Sequence, residues 1–343
     1  MSFKRFDPQD IVISAESVTA PVWSSGAVTL SSFYTSSTQV AGASGAYYYN
    51  VYDLDPSGST AKLQFAIAYG DKGGSGSLDF NNAVTGSSPS KTVYGQYRSL
   101  VLGDEESDFI FGNTTGSHIY VVNIDRARYK EKLLPGTLDL LLQNGEEYLR
   151  LTDNSKVATS TVFTDAGRKF DLVSGSLGTV YTDVDTNGHS KASGSYGMFL
   201  PDIGTLILNG KALDGLGQAG SENAGGITLD TFREPNTEGS GSEKLYNALV
   251  SGSSFKLNSE ETVSSNFVFV RARNAEFNYS SNPSAITGSG ELRHNVMINN
   301  PQSFVTSVGL YNDNNDLLAT AKLSRPLLKD FTKEALVRIK LDF

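Results

Sequence analysis

Oxygen-bearing side chains at alternate positions make the segment 183–188 the first place to look for chemistry. Asp183, Asp185 and Asn187 match the first half of a calcium loop, in which alternate ligands face one ion and a glycine makes the turn. The twelfth position of such a loop is a bidentate glutamate, but this chain has Gly194 there. Because Asp, Asn and Gly also fill ordinary hairpin turns, the three residues are a weak metal-site candidate beside the alternative of a plain turn.

A glycine pattern at 215–220, Gly-Leu-Gly-Gln-Ala-Gly, fits G-x-G-x-x-G after the apolar run 206–208. A dinucleotide site requires this loop to open a helix whose N-terminus meets the pyrophosphate. The next six residues, Ser-Glu-Asn-Ala-Gly-Gly, do not favour a helix. We therefore expect no bound cofactor.

Nucleophilic catalysis has little material in this sequence. The chain has no cysteine and no G-x-S-x-G elbow, and its three histidines, His118, His189 and His294, stand in unrelated local contexts. Paired carboxylates for glycosidase chemistry need only be close in space, and nothing singles out a pair among 37 acidic residues. We expect no catalytic residue and predict that the chain is not an enzyme.

The one basic segment runs from Asp125 to Lys132 and ends before Pro135. Acidic residues interrupt it, which favours a solvated turn or short helix with internal ion pairs over a phosphate site. Docking on an acidic neighbour is a third interpretation. The formal charge of −9 makes nucleic acid an unfavourable partner, because binding to backbone phosphates requires clustered cations.

The composition favours sheets as the elements that position these residues. Thirty-four glycines, 16 tyrosines and 18 phenylalanines predict a mainly β protein of antiparallel sheets or sandwiches with a few short helices. At 343 residues, more than one domain is expected. We predict an extended N-terminal arm at 1–35, a β-rich domain at 36–155, a Gly/Ser-rich middle β domain at 156–243 and a C-terminal β domain at 244–343.

Several local patterns predict individual elements. Asn144-Gly145 is a two-residue hairpin signal between apolar segments. Tyr97–Leu102 and Glu243–Val250 are predicted short helices, the second with Leu245, Ala248 and Leu249 on one face. The segment 267–270, Phe-Val-Phe-Val, is apolar on both faces and predicts a strand in the centre of its sheet.

The N-terminal arm carries the only tryptophan, Trp23, and a short apolar run at 11–13 that predicts a strand. We consider two roles for Trp23: a clasp on a neighbouring subunit, or a side chain that fills the core of its own chain. No apolar h-region stands at the start, and no window approaches 18 uninterrupted apolar residues. We expect neither a signal peptide nor a membrane span.

The last forty residues give the clearest strand signal. Alternation places Phe304, Val308 and Leu310 on one face of a strand, 312–316 predicts a hairpin turn, and 317–323 the returning strand, which Pro326 closes. From Ala335 to Phe343, apolar residues then alternate with Leu336, Arg338, Lys340 and Asp342. This pattern predicts a half-buried strand that docks the end of the chain.

These residues, NPQSFVTSVGLYNDNNDLLATAKLSRPLLKDFTKEALVRIKLDF, together with FVRARNAEFNYSSNPS upstream, resemble virion structural proteins of contractile-tailed bacteriophages, especially phages of marine bacteria such as cyanophages. The core GLYNDNNDLLATAKL is also similar to the baseplate-proximal domain of tail-fibre proteins. The resemblance implies a homo-oligomeric structural subunit of the baseplate or tail-fibre attachment region, which is made in the bacterial host cytoplasm, resides in the virion and binds other virion proteins rather than membrane.

The resemblance implies no catalytic, cofactor or metal residue. We take Trp23, Tyr311, Arg338 and Lys340 as interface candidates. A capsid decoration, vertex or neck subunit is the alternative within the same class. A module that binds host glycans is the alternative from another class, and it would need tyrosines that lie together on an exposed face.

Overall fold

The computed structural model describes residues 3–36, 48–74, 90–181, 196–214, 227–229, 240–280 and 282–342. The chain forms two compact units: unit 1 is Met1–Ser17 with Thr262–Phe343, and unit 2 is Val18–Glu261. Unit 1 therefore joins the two ends of the chain. The segments predicted from composition do not coincide with these units, since the expected boundaries at 155/156 and 243/244 both fall inside unit 2.

The protein is mainly β, with 48% strand and 14% helix and with antiparallel sheets, which confirms the predicted fold class. The strands are β1 (Ile11–Pro21), β2 (Thr29–Leu30), β3 (Tyr48–Tyr52), β4 (Leu63–Asp71), β5 (Phe109–Phe111), β6 (Thr114–Gly116), β7 (His118–Ile124), β8 (Lys132–Leu133), β9 (Asp139–Asn144), β10 (Glu147–Asp153), β11 (Val162–Thr164), β12 (Gly167–Ser176), β13 (Thr179–Val180), β14 (Gly197–Leu200), β15 (Thr205–Asn209), β16 (Ser254–Lys256), β17 (Asn258–Ala272), β18 (Gln302–Tyr311), β19 (Leu317–Asp330) and β20 (Ala335–Asp342). The described helices are α1 (Ser90–Leu102), α2 (Gly210–Leu213), α3 (Ser240–Gly252) and α4 (Val296–Asn299).

A curled, half-barrel sheet organises unit 2. Its strand order is β2-β16-β9-β10-β12-β14-β15-β7-β4-β3, and β11 and β13 pair with β12. Alternate residues of β7 point to opposite faces, so Val122 belongs to one hydrophobic cluster and Val121 to the other. Helix α3 packs in the first cluster and α1 in the second. Both faces are thus covered, which explains the continuous apolar runs of β7 and β15.

The predicted hairpin and helices of unit 2 are confirmed, but the hairpin turn lies one residue later than predicted. Asn144 pairs with Glu147 at the end of β9, so the two turn residues are Gly145 and Glu146. Gly145 adopts φ +60°, which fits a hairpin turn with glycine at its first central position. Helices α1 and α3 include the two predicted helices and begin earlier in each case. Leu245, Ala248 and Leu249 are buried together on one face of α3.

Unit 1 contains a sheet and a hairpin. The sheet has the order β1-β17-β20, so the predicted central position of β17 is confirmed. Val268 of β17, Ile339 of β20 and Leu310 of β18 share one hydrophobic cluster, which places hairpin β18–β19 against this sheet. Alternation along β20 is as predicted, with Ile339 buried and Arg338 and Lys340 exposed.

Hairpin β18–β19 corrects two expectations. The returning strand does not end at Pro326 but continues to Asp330. The register shifts after Val305, which pairs with Leu327, because Ser307 already pairs with Lys322. Pro326 lies in this unpaired stretch of β19, so its missing N–H costs no ladder hydrogen bond. The irregularity also breaks the alternation of β18, and Phe304 is 63% exposed while Leu310 is buried.

The predicted turn at 312–316 is confirmed. Asn312 Oδ1 accepts hydrogen bonds from the backbone N–H groups of Asn314 and Asp316, and Asn315 adopts φ +65°. Side-chain capping of this kind is the reason that asparagine-rich segments favour tight turns.

Candidate functional site

Unit 1 buries few apolar side chains and exposes many. Its cluster has three buried members, Val268, Leu310 and Ile339, with six half-buried neighbours. The large apolar side chains that it exposes are Phe3, Phe6, Ile11, Val12, Ile13, Tyr279, Ile298, Phe304, Tyr311, Leu317, Leu318, Phe331 and Leu336. Contiguous apolar surface marks contact sites in proteins, and Tyr311, Leu317 and Leu318 lie together at the end of hairpin β18–β19. Unit 1 is therefore the candidate interface of this chain.

The end of hairpin β18–β19 carries a tip cluster formed by Phe3, Tyr311 and Leu317. The rings of Phe3 and Tyr311 meet edge to face with centroids 5.2 Å apart. Both Tyr311 and Leu317 lie over Gly309, where a Cβ atom would come within 2.8 Å of the tyrosine ring. Glycine at 309 thus permits this aromatic position. Tyr311, a predicted interface residue, is partly exposed here, whereas Phe3 lay outside every sequence pattern.

Arg338 and Lys340 lie on the exposed face of β20 beside Phe267. The Arg338 guanidinium carbon is 5.3 Å and Lys340 Nζ 5.9 Å from the centroid of that ring. Lys340 Nζ is also 3.1 Å from Asp342 and 3.8 Å from Glu16. Exposed pairs of this kind add little stability. Both predicted interface residues are therefore placed where they can contact the polar rim of a partner.

Charge is divided unequally between the units. Unit 1 contains 11 Lys and Arg against 10 Asp and Glu, a net +1, so the total of −9 leaves −10 on unit 2. Like charge makes acidic surfaces repel one another. Unit 1 is nearly neutral and apolar, and contact with a further protein is least opposed there.

Trp23 lies in the core of unit 2 and is 2% exposed. Its indole N–H donates to the carbonyls of Val28 at 3.1 Å and Phe255 at 2.9 Å. The ring also packs against Phe65 and Phe255. This placement corresponds to the core alternative, because a buried ring cannot lie on a neighbouring subunit. Trp23 is therefore not an interface residue.

A buried histidine–aspartate pair joins β7 to the end of α2. His118 Nε2 lies 2.5 Å from Asp214 Oδ2, and the Tyr120 hydroxyl donates to Oδ1 at 3.1 Å. Ser117 Oγ is 3.4 Å from Nδ1, too long for a good hydrogen bond. A Cβ at Gly210 would overlap the His118 ring. The pair connects β7 to the end of α2. No sequence pattern predicted it, because the two residues are 96 positions apart.

The other histidines do not join this pair. His294 is exposed and belongs to unit 1, and His189 lies outside the described residues. A nucleophile, base and orienting acid need mutual hydrogen-bond geometry. The described histidines do not provide it.

Asp139 forms a second buried polar network that sequence analysis missed. Arg150 donates to both carboxylate oxygens at 2.7 and 3.0 Å, Ser176 donates at 3.0 Å, and Lys256 Nζ is 3.3 Å away. Burial alone would raise the pKa of Asp139, but the hydrogen bonds and charge of Arg150, with Ser176 and Lys256, outweigh it and lower the pKa. The network joins β9, β10, β12 and β16. It stabilises the sheet and leaves no unpaired carboxylate for acid–base chemistry.

The basic segment is a turn with internal partners, as predicted. Arg126 donates to the backbone carbonyls of Tyr129 and Lys130, and its guanidinium stacks 4.6 Å from the Tyr129 ring centroid. Lys130 pairs with Glu261 at 2.7 Å, and Lys132 lies near Glu260. The cations are thus largely neutralised within the chain, and this arrangement favours neither a phosphate site nor an acidic partner here.

Tyrosine pairs pack within unit 2. The rings of Tyr49 and Tyr246 are 5.7 Å apart, and those of Tyr69 and Tyr120 are 5.2 Å apart. Tyr49 and Tyr120 are buried. Sugar stacking needs exposed rings, so these pairs are an arrangement for packing rather than for glycan binding.

The remaining candidates fall partly outside the described residues. Asp183, Asp185 and Asn187, and the glycine pattern at 215–220, lie there. Within the described ranges, no group of three or more His, Cys, Asp or Glu is arranged to hold a metal ion. Among the helices of those ranges, none is long and apolar enough to cross a membrane. Comparison with protein-family models, curated proteins and solved structures finds no match.

Proposed function

We propose that this chain is a structural subunit of a tailed-phage virion, in the baseplate or at the tail-fibre attachment region, and that it acts by assembly with other virion proteins. The observation that carries the proposal is the apolar surface of unit 1, which exposes Phe304, Leu317 and Leu318 and buries three apolar side chains in its cluster. The sequence resemblance of 300–343 to virion proteins supports the same class.

The mechanism is geometric. Two large hydrophobic clusters stabilise unit 2, while unit 1 supplies the surface that a neighbour covers. A standard interface buries about 800 Å² on each partner. A subunit in the head or neck would use the same surface, so the assembly role of unit 1 does not depend on the position of the chain in the virion.

Incorporation into particles tests the proposal. The chain is supplied in trans during infection, and purified particles are probed with an antibody against it. The double variant Phe304→Ser, Leu318→Ser should be incorporated several-fold less than the natural chain, because both side chains are more than 60% exposed and support little of the fold.

Phe163→Ser is the matched control, since Phe163 is 71% exposed in unit 2. It should enter particles at the natural level. Equal incorporation of the double variant would contradict the role of unit 1. Absence of the natural chain from purified particles would overturn the proposed function itself.

A further inference from the structure

Strand β1 forms one edge of the sheet β1-β17-β20; its residues 11–17 belong to unit 1 and its residues 18–21 to unit 2. Among the described residues it pairs with β17 on one side, and no strand pairs with its other side. Every residue from Ile11 to Pro21 is exposed. At about 3.3 Å per residue the strand is about 36 Å long. Its outer edge therefore presents a long row of backbone donors and acceptors.

This edge has few of the features by which proteins protect open sheet edges. Such features include lysines, other charged residues and prolines within the strand. Within β1 the only charged residue is Glu16, and the only proline stands at the last position, Pro21. Ile11, Val12 and Ile13 add three exposed apolar side chains in succession. An edge of this composition favours addition of another strand.

The sequence of β1 is compatible with itself in one antiparallel register. With Ala15 on a two-fold axis, Val12 of one copy faces Val18 of the other, and Glu16 faces Ser14. Centring the pair on Glu16 instead would oppose two carboxylates, which destabilises a sheet. Small Ala15 side chains at the axis leave room for close approach.

The charge distribution also favours a second copy. Unit 1 carries a net +1, whereas unit 2 carries −10. Residues 11–17 of β1 belong to unit 1, and Glu16 is the one charged residue of the strand, so two copies that meet through β1 join surfaces of low charge. An isologous contact of this kind closes after two subunits and does not propagate.

We propose that β1 pairs antiparallel with β1 of a second copy, centred on Ala15, and that the sheets of the two copies form one continuous sheet. This inference rests on the proposed structural function and names one of its partners. The remaining exposed side chains of unit 1, including the tip cluster, stay available to other virion proteins.

Cysteine cross-linking tests the register, because the chain contains no cysteine. Opposed residues in an antiparallel pair have Cα atoms about 4.5–5.5 Å apart, within the range that a disulfide spans. Ala15→Cys should therefore form a covalent dimer under mild oxidation. Val12→Cys alone should not, since its two copies would lie about 20 Å apart along the strands.

A mixture of Val12→Cys and Val18→Cys chains should give a heterodimer that neither chain gives by itself. Val162→Cys, an exposed position in β11 of unit 2, is the control and should stay uncross-linked. Ala15→Lys should weaken the dimer several-fold in sedimentation equilibrium, because it opposes two ammonium groups at the axis.

Two results would overturn the pairing. One is a natural chain that sediments as a monomer while Ala15→Cys does not cross-link; the other is equal cross-linking at Ala15, Val12 and Val162, which would indicate collision alone. Loss of particle incorporation in the Phe304→Ser, Leu318→Ser variant would still support the structural function in either case, so the two proposals fail separately.

Discussion

Replacing Trp23 with alanine should lower the free energy of unfolding of unit 2 by about 4 kcal/mol or more. Truncation of a buried Phe or Trp to Ala costs about 3–5 kcal/mol, and Trp23 is 2% exposed between Phe65 and Phe255. The indole N–H also donates hydrogen bonds to the carbonyls of Val28 and Phe255. Leaving the buried Phe255 carbonyl without a donor adds about 1–3 kcal/mol, and partial collapse of the cavity reduces the sum.

Urea unfolding followed by far-UV circular dichroism measures this loss. Trp23→Phe is the matched control: it keeps most of the apolar volume and removes the donor, so it should cost about 1–3 kcal/mol. The extent of assembly of either variant should decrease only in proportion to its loss of folding stability. A Trp23→Ala chain with stability within about 0.5 kcal/mol of the natural chain and weakened assembly would refute the core placement and restore the clasp hypothesis.

Three further outcomes follow from buried polar groups. Asp139→Asn should destabilise unit 2 by about 3–5 kcal/mol, because it leaves Arg150 and Lys256 without their carboxylate. In the natural chain the lowered pKa of Asp139 means that this contribution is present above pH 3.8 and is lost as pH falls below it, which acid titration of the unfolding midpoint measures. Burial raises the pKa of Tyr49 from 10.0 to about 12. The neutral phenol therefore contributes its full stability below pH 10, and this contribution is lost as pH rises to 12. Tyr49→Phe should flatten the dependence of the unfolding midpoint on pH in that window. Lys329→Met should speed amide hydrogen exchange in the segment 274–278 at least several-fold, because Lys329 Nζ donates to Asn274, Asn278 and Asp330; unchanged exchange would show that this buried lysine does not hold the segment.

Local patterns predicted the elements whose information lies within a few residues. The alternation of β20, the hairpin after β9 and the apolar face of α3 each follow from a period or a turn signal, and each is found, although the hairpin turn is Gly145-Glu146 and not Asn144-Gly145. Phe304 departs from its predicted face because extra residues in β19 interrupt the ladder. That irregularity is a property of two strands together, and the sequence of β18 alone does not contain it.

Long-range placement accounts for the other differences. Met1–Ser17 joins Thr262–Phe343 in unit 1, although more than two hundred residues separate them. Trp23 is fixed by the carbonyl of Phe255, 232 residues away, and His118 by Asp214. The apolar content of residues 1–35 alone predicts an arm, because the residues that bury Trp23 stand elsewhere in the chain.

The distribution of apolar side chains assigns different roles to the two units: unit 2 is stable by itself, and unit 1 is the part that assembles. Unit 2 buries many aromatic residues in two clusters and carries the acidic charge, so it can remain folded and repel its copies without further contacts. Unit 1 has three buried apolar residues in its cluster and long open strands, and burial is the main term that offsets chain entropy. Its stability should therefore rise with protein concentration while that of unit 2 does not, since a surface completed by a second chain is stabilised by mass action.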